Sequence, residues 1–307
     1  MDKKVLYGVA GLCLVFAVLM AGCVNTPAED DKKLYVVGID AEYPPFSYLG
    51  DNGEFVGFDV DSVKWIAEQK GFNVKIQAVA WDGIIPALQT GKIDMVYSGM
   101  SITPDRLEKV NFTIPYWQVN QGIAVKTGSD VTMDQFTNGT IVIGVQRSCS
   151  ADQWMQKAED EDGLFGEEKY NQLVKNGNIK LYDSFPMSMV ALEQGLVDAV
   201  IFDDVNIESY IQGKPQFTML GSIETGEYYA VAVRKEDNDL RELMNAGITE
   251  LMASEKWNEL IGQYIVEDVV EPTVNETVVA TTTPVNTTAT VTANTTAVET
   301  TPVATTA

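Results

Sequence analysis

Histidine is absent from all 307 residues. That absence excludes Ser-His and Cys-His nucleophilic pairs and most zinc sites, so neither a metal nor a cofactor is expected. Cysteine is scarce, at Cys13, Cys23 and Cys149 only. Positive charge is also short: 21 Lys and Arg stand against 44 Asp and Glu, a formal charge of −23. Phosphate would be repelled by such a chain, which argues against nucleic acid as a partner. Apolar content is ordinary for a globular protein, and the length suffices for two compact lobes with extensions.

The ends read differently from the middle. Lys3 and Lys4 precede an apolar stretch from Val5 to Met20, and Leu19-Met20-Ala21-Gly22-Cys23 resembles a lipoprotein cleavage box. Residues 1–22 are expected to be a signal peptide, Cys23 the lipidated first mature residue, and 23–32 a linker. The alternative is an uncleaved membrane anchor, since Val5–Val24 nearly reaches spanning length. Either way the folded part lies outside the cytoplasmic membrane. With Cys13 removed and Cys23 lipidated, Cys149 has no disulfide partner. At the other end, residues 269–307 are Thr-rich with Val, Ala and Pro and have no amphipathic period, so they read as a disordered stalk. Three sequons begin at Asn275, Asn286 and Asn294. A lipobox joined to such a tail suggests an archaeal surface protein.

The most informative stretch is Ser98-Gly99-Met100-Ser101-Ile102-Thr103-Pro104-Asp105-Arg106. Thr103 followed by Pro104 predicts a helix start, Thr as cap and Pro at the first helical position. Free N–H groups at such a start favour negative charge, yet Arg106 places a cation in the same turn. An anion held between the amides and the guanidinium reconciles the two, and a guanidinium grips a carboxylate through two parallel hydrogen bonds. The stretch therefore reads as a pocket for a small carboxylate, against the plainer alternative of a surface Arg after an ordinary cap.

Elsewhere strand and helix patterns alternate from Leu34 to Val125 and restart at Ile141, which implies α/β units around mostly parallel sheets. Four predicted strand ends carry polar groups: Asp40, Ser98–Ser101, Arg147–Ser150 and Asp203. Ligands bind beyond such ends, and these four converge only if two sheets face one another across a cleft. Residues 41–48, with Pro44 and Pro45, are expected to form an extended loop. Residues 239–264 are expected to be helical, and the acidic 159–177 segment to be a polar surface excursion.

The segments Asp40–Tyr48, Gly57–Asp61, Trp81–Asp94, Ser98–Arg106, Ile141–Arg147, Ala191–Asp204 and Tyr229–Lys235 resemble, in order, the extracellular solute-binding proteins of family 3, the polar amino-acid receptors of ABC importers. The resemblance covers roughly residues 33–268. It implies an α/β, two-lobed periplasmic-binding-protein type II fold with a hinge of two crossing strands. The first lobe would be 33–125 with a return over 228–268, the second 126–227, and the crossing strands Gln121–Val125 and Tyr228–Val231. It implies a free L-amino acid as ligand, a membrane permease as partner, a monomer, and no catalysis.

The implied site follows residue by residue. Arg106 would take the ligand α-carboxylate, helped by the backbone at Ser101 and by Ser150 from the other lobe. Ser148-Cys149-Ser150 replaces the Gly-Ser-Thr or Gly-Thr-Thr of many relatives. Asp203 would take the α-ammonium, with Ser98, Gly99 and Ser101 nearby; alternatively Asp203 or Asp204 merely caps the next helix. Tyr43 and Trp81 would flank the ligand side chain, and Asp40 would reach its distal polar group. Arginine, lysine and histidine rank first as ligands, glutamine next, aspartate and glutamate last. Two other classes stay open: a cyclohexadienyl (prephenate or arogenate) dehydratase on the same scaffold, with Glu42 or Glu224 as general acid, and a surface sensor.

Overall fold

The computed structural model describes residues 32–265. The expected signal peptide, Cys23 and the Thr-rich tail lie outside the described residues.

β1 (Leu34–Ile39) opens the chain and is followed by the short strands β2 (Glu42–Tyr43), β3 (Ser47–Leu49) and β4 (Phe55–Val56). The expected extended loop over 41–48 is instead a hairpin. β2 and β3 pair antiparallel, the Pro44–Pro45 peptide is cis, and the Phe46 N–H donates to the Tyr43 carbonyl at 3.0 Å. That reversal turns both Tyr43 and Phe46 into the interior.

Helix α1 (Phe58–Lys70) starts at Gly57, whose φ is +127° and where a Cβ would lie 2.2 Å from the Phe46 carbonyl oxygen. Only glycine fits there. Phe58, Val60, Val63 and Ile66 are buried, each contributing roughly 1.5–3 kcal/mol by leaving water. The helix ends at left-handed Gly71. β5 (Asn73–Ala78), α2 (Trp81–Gln89), β6 (Met95–Val96), α3 (Pro104–Leu107) and β7 (Asn111–Phe112) follow. The next group is β8 (Trp117–Lys126), α4 (Met133–Asn138), β9 (Ile143–Gln146), α5 (Ser150–Gln156) and α6 (Glu167–Asn176). It continues through β10 (Ile179–Tyr182), α7 (Phe185–Glu193), β11 (Ala199–Asp203), α8 (Asp204–Ile211) and β12 (Phe217–Tyr229). β13 (Ala232–Val233), α9 (Asn238–Met252) and α10 (Glu255–Tyr264) complete the described chain.

Two five-stranded sheets result, ordered β5-β1-β6-β13-β7 and β10-β9-β11-β8-β12. In the first, β1 runs parallel to β5 and β6, while β13 is antiparallel to β6 and β7. In the second, β9 runs parallel to β10 and β11, and β8 is antiparallel to β11 and β12. This is the α/β, two-lobed architecture expected. The expected crossing strand Gln121–Val125 pairs with β11 and β12 inside the second sheet, because Ile123, Ala124 and Val125 are core residues there. The chain passes between sheets at 113–116 and 230–231. The Thr113 N–H donates to the Val231 carbonyl and the Tyr116 N–H to that of Tyr229, at 3.0 and 2.9 Å.

Residues 239–264 are helical as expected, in two helices separated at Ala253 and Ser254. The Ser254 hydroxyl donates to the Leu251 carbonyl at 2.7 Å, a side-chain bond that competes with continuing the helix. In the acidic excursion, Glu159–Glu161 form an exposed 3-10 turn and α6 turns Tyr170 inward, with Phe165 buried beside it. The segment is thus partly core.

Candidate ligand-binding site

The polar strand ends meet between the two sheets. Thr103 caps α3, its Oγ1 accepting the Arg106 N–H at 3.3 Å, with Pro104 in the first turn. This cap turns Arg106 inward, where it is 2 % exposed. Its guanidinium donates from Nη1 to the Ser101 carbonyl at 2.8 Å and from Nη2 to the Ser148 carbonyl at 3.2 Å, and lies 5.2 Å from the Trp81 ring centroid. Among the described residues no carboxylate pairs with it. Burial disfavours its charge, and the fields of Glu227 and Asp203 oppose that effect. A buried guanidinium held only by carbonyls is a strong receptor for an anion.

Asp203 faces the cleft from the end of β11. It sits at the cap position of α8 without a capping bond, so the plainer reading of this carboxylate does not describe its contacts. Tyr43 donates its hydroxyl to Oδ2, as does Tyr229 at 2.7 Å, while Gln121 Nε2 donates to Oδ1 at 2.8 Å and Ser150 Oγ at 3.3 Å. Burial and the charge of Glu227 push the Asp203 pKa up, and the donated hydrogen bonds pull against them. Burial and the Asp203 charge hold both phenols well above their usual range, so they remain donors.

Asp40 closes the other end. Its Oδ2 accepts from Gln146 Nε2 at 3.1 Å and its Oδ1 from the Glu42 N–H at 3.0 Å, and burial raises its pKa. A cavity of about 330 Å³ opens beside it, lined in part by Glu42, Trp81, Asp183 and Met187. The Tyr43 and Trp81 rings lie within 12° of parallel with centroids 6.5 Å apart.

Ser98, Gly99 and Ser101 organise this cleft from the segment that follows β6. Ser98 Oγ accepts the Asp40 N–H at 2.9 Å and meets Ser47 Oγ at 2.8 Å. Gly99 has φ +51°, its N–H donates to Asp59 Oδ2 at 2.6 Å, and a Cβ there would lie 2.3 Å from Tyr43 Cε1. Ser101 bridges to Tyr229 across the sheets' junction. Ser150 Oγ donates to Asp203, two residues along the chain from the Ser148 carbonyl that Arg106 also grips. Gln121, Gln146, Tyr229 and Asp59 also serve the cleft but were not singled out in the sequence. β8 carries three amides, Gln118, Asn120 and Gln121, and no local signal marks Gln121 as the one that is fully buried. Among the described residues, no group of three or more Cys, Asp and Glu side chains is arranged to hold a metal ion.

The family model of bacterial extracellular solute-binding proteins, family 3, matches residues 35–267. A probable histidine-binding protein of Neisseria gonorrhoeae is 28 % identical over 248 residues, 79 % of this chain and 87 % of that one. The L-arginine-binding protein of Pseudomonas aeruginosa is 30 % identical over 265 residues, covering 83 % and 96 %. An ancestral arginine-binding protein, solved with arginine and with glutamine, superposes with a TM-score of 0.65 at 32 % identity, over 76 % of this chain and 98 % of that one. With the family model spanning both sheets and the cleft between them, the chain belongs to the bacterial extracellular solute-binding proteins, family 3.

Proposed function

We propose that the cleft captures a cationic L-amino acid and that the chain delivers it to a membrane ABC permease as a non-catalytic receptor. The observation that carries this reading is the buried, carboxylate-free Arg106 set in the same cleft as Asp203. A zwitterion supplies what each lacks: a carboxylate for Arg106 and an ammonium for Asp203. Asp40 supports a distal cation, and Tyr43 and Trp81 offer it ring faces. Two ligands named for relatives, arginine and histidine, carry such a side chain, and glutamine presents a distal amide that Asp40 can accept from. Glu42 and Glu224, the carboxyls a dehydratase would use as its acid, are both exposed. Attachment to the outer face of the membrane through lipid on Cys23, and a monomeric state, belong to the same proposal.

Titration calorimetry with each L-amino acid tests it. Arginine, lysine and histidine bind, glutamine binds more weakly, and aspartate and glutamate are rejected, because a buried acidic side chain would meet Asp40 without a cation. Arg106→Ala loses about 3–5 kcal/mol of binding while melting cooperatively. Near-normal affinity in that variant removes Arg106 from the site, and selective binding of glutamate or aspartate overturns the cationic preference.

A further inference from the structure

The acidic excursion is tied to the cleft through one buried side chain, Tyr170. α6 is polar along most of its length and buries one residue, Tyr170, which is 5 % exposed. The Tyr170 hydroxyl donates to Asp152 Oδ1 in the first turn of α5, and burial together with the Asp152 charge keeps that phenol protonated. Asp152, itself 4 % exposed, accepts the Ser148 N–H on its other oxygen at 2.8 Å. Gln156 Nε2 adds a longer bond to Oδ1 at 3.3 Å. Ser148 has φ +61°, the left-handed region that a non-glycine residue enters at a cost. Its carbonyl receives two donors from the opposite lobe, Trp81 Nε1 at 3.1 Å and Arg106 Nη2 at 3.2 Å.

We propose that Tyr170 is a positioning residue for ligand capture: through Asp152 it holds Ser148 in the left-handed turn whose carbonyl latches Arg106 and Trp81 across the cleft. The proposal rests on the ligand reading above only for its affinity arm. Removing the hydroxyl leaves one oxygen of a buried carboxylate with a single long donor. Asp152 then turns toward whatever donor remains, and the Ser148 turn relaxes to an ordinary backbone conformation that withdraws the carbonyl.

The test uses the full chain, Tyr170→Phe, and L-arginine as probe. The Kd for L-arginine is expected to rise roughly tenfold, the scale of one charge-assisted hydrogen bond. With 5-fluorotryptophan incorporated, the fluorine resonance of Trp81, assigned by Trp81→Phe, shifts in the ligand-free protein as its indole loses the Ser148 carbonyl. Asp152→Asn moves both readouts the same way, which covers a failure of Tyr170→Phe to fold. Adding Ser148→Gly to Tyr170→Phe restores affinity and resonance toward the unaltered values, because glycine keeps the left-handed turn unaided. An unshifted Trp81 resonance in the ligand-free variants, or a lowered melting temperature with no shift and no rescue, overturns the proposal. Failure of the unaltered chain to bind L-arginine counts against the proposed ligand alone, since the ligand-free resonance still decides the role of Tyr170.

Discussion

Asp203 accepts four hydrogen bonds and still holds a proton more tightly than a carboxyl in water, because burial and Glu227 outweigh its donors. A ligand ammonium requires the ionised form. Affinity is therefore expected to fall as the pH drops through the raised Asp203 pKa, with a proton released on binding in that range. Calorimetry down the pH scale in two buffers of different ionisation heat reads both effects. Asp203→Asn binds weakly and loses this component of the pH dependence. Equal profiles in the two proteins would separate Asp203 from the ammonium. At this scale the sequence was legible where chemistry is local: Thr103, Pro104 and Arg106 sit within one turn and announce a pocket. Gln121 and Tyr229 were not legible, because what gives them meaning is Asp203, 82 and 26 positions away. Asp152 and Tyr170 were hidden for a similar reason, being joined across 18 positions by a helix packing that no local pattern marks.

The first turn of α1 contains a second unusual carboxyl. Asp59 is fully buried, accepts the Gly99 N–H at 2.6 Å and the Tyr116 hydroxyl at 2.9 Å, and its Oδ1 has no partner among the described residues. Burial pushes its pKa from 3.8 to about 8. The native state thus keeps a proton that the unfolded chain gives up, so this group's contribution to stability is full below pH 3.8 and is lost as the pH rises to about 8. Denaturant unfolding at the two ends of that window is expected to show lower stability at the alkaline end. Asp59→Asn, which cannot ionise, should narrow the difference. An equal difference in the variant would mean that Asp59 titrates alike in both states. The elements themselves were largely readable, since hydrophobic period, Gly71 and the Thr103-Pro104 cap are written along the chain. The hairpin at 41–48 was not, because proline excludes helix without distinguishing a loop from a short paired strand. The break after α9 was partly legible, since the apolar face changes between Leu251 and Trp257, while the hydroxyl that finds the Leu251 carbonyl follows no pattern.

For the whole molecule, closure depends on a small set of bonds between the lobes. Gln146 reaches Asp40, Thr103 Oγ1 reaches Gln153 at 2.9 Å, Asn206 Nδ2 reaches the Pro44 carbonyl at 2.7 Å, and Arg106 and Trp81 share the Ser148 carbonyl. Each is worth about 1 kcal/mol net, so together they keep the closed form populated before any ligand arrives, against the hydration that opening restores. A ligand touching Arg106 and Asp203 at once adds contacts that only the closed form can make. Small-angle scattering should therefore show a smaller radius of gyration at ligand saturation, and an unchanged profile would argue against a clamp. The order of strands in the two sheets also sets the sequence of events by which the polypeptide takes shape. β13, from residues 232–233, sits inside the first sheet between β6 and β7, whereas every strand of the second sheet is supplied by 117–229. As the chain emerges from synthesis, the later lobe has all its strands before the earlier lobe receives its own. The N-terminal half must wait with an incomplete sheet, its β6 edge unpaired, until its partner has been made, which makes that interval the chain's most vulnerable to mispairing.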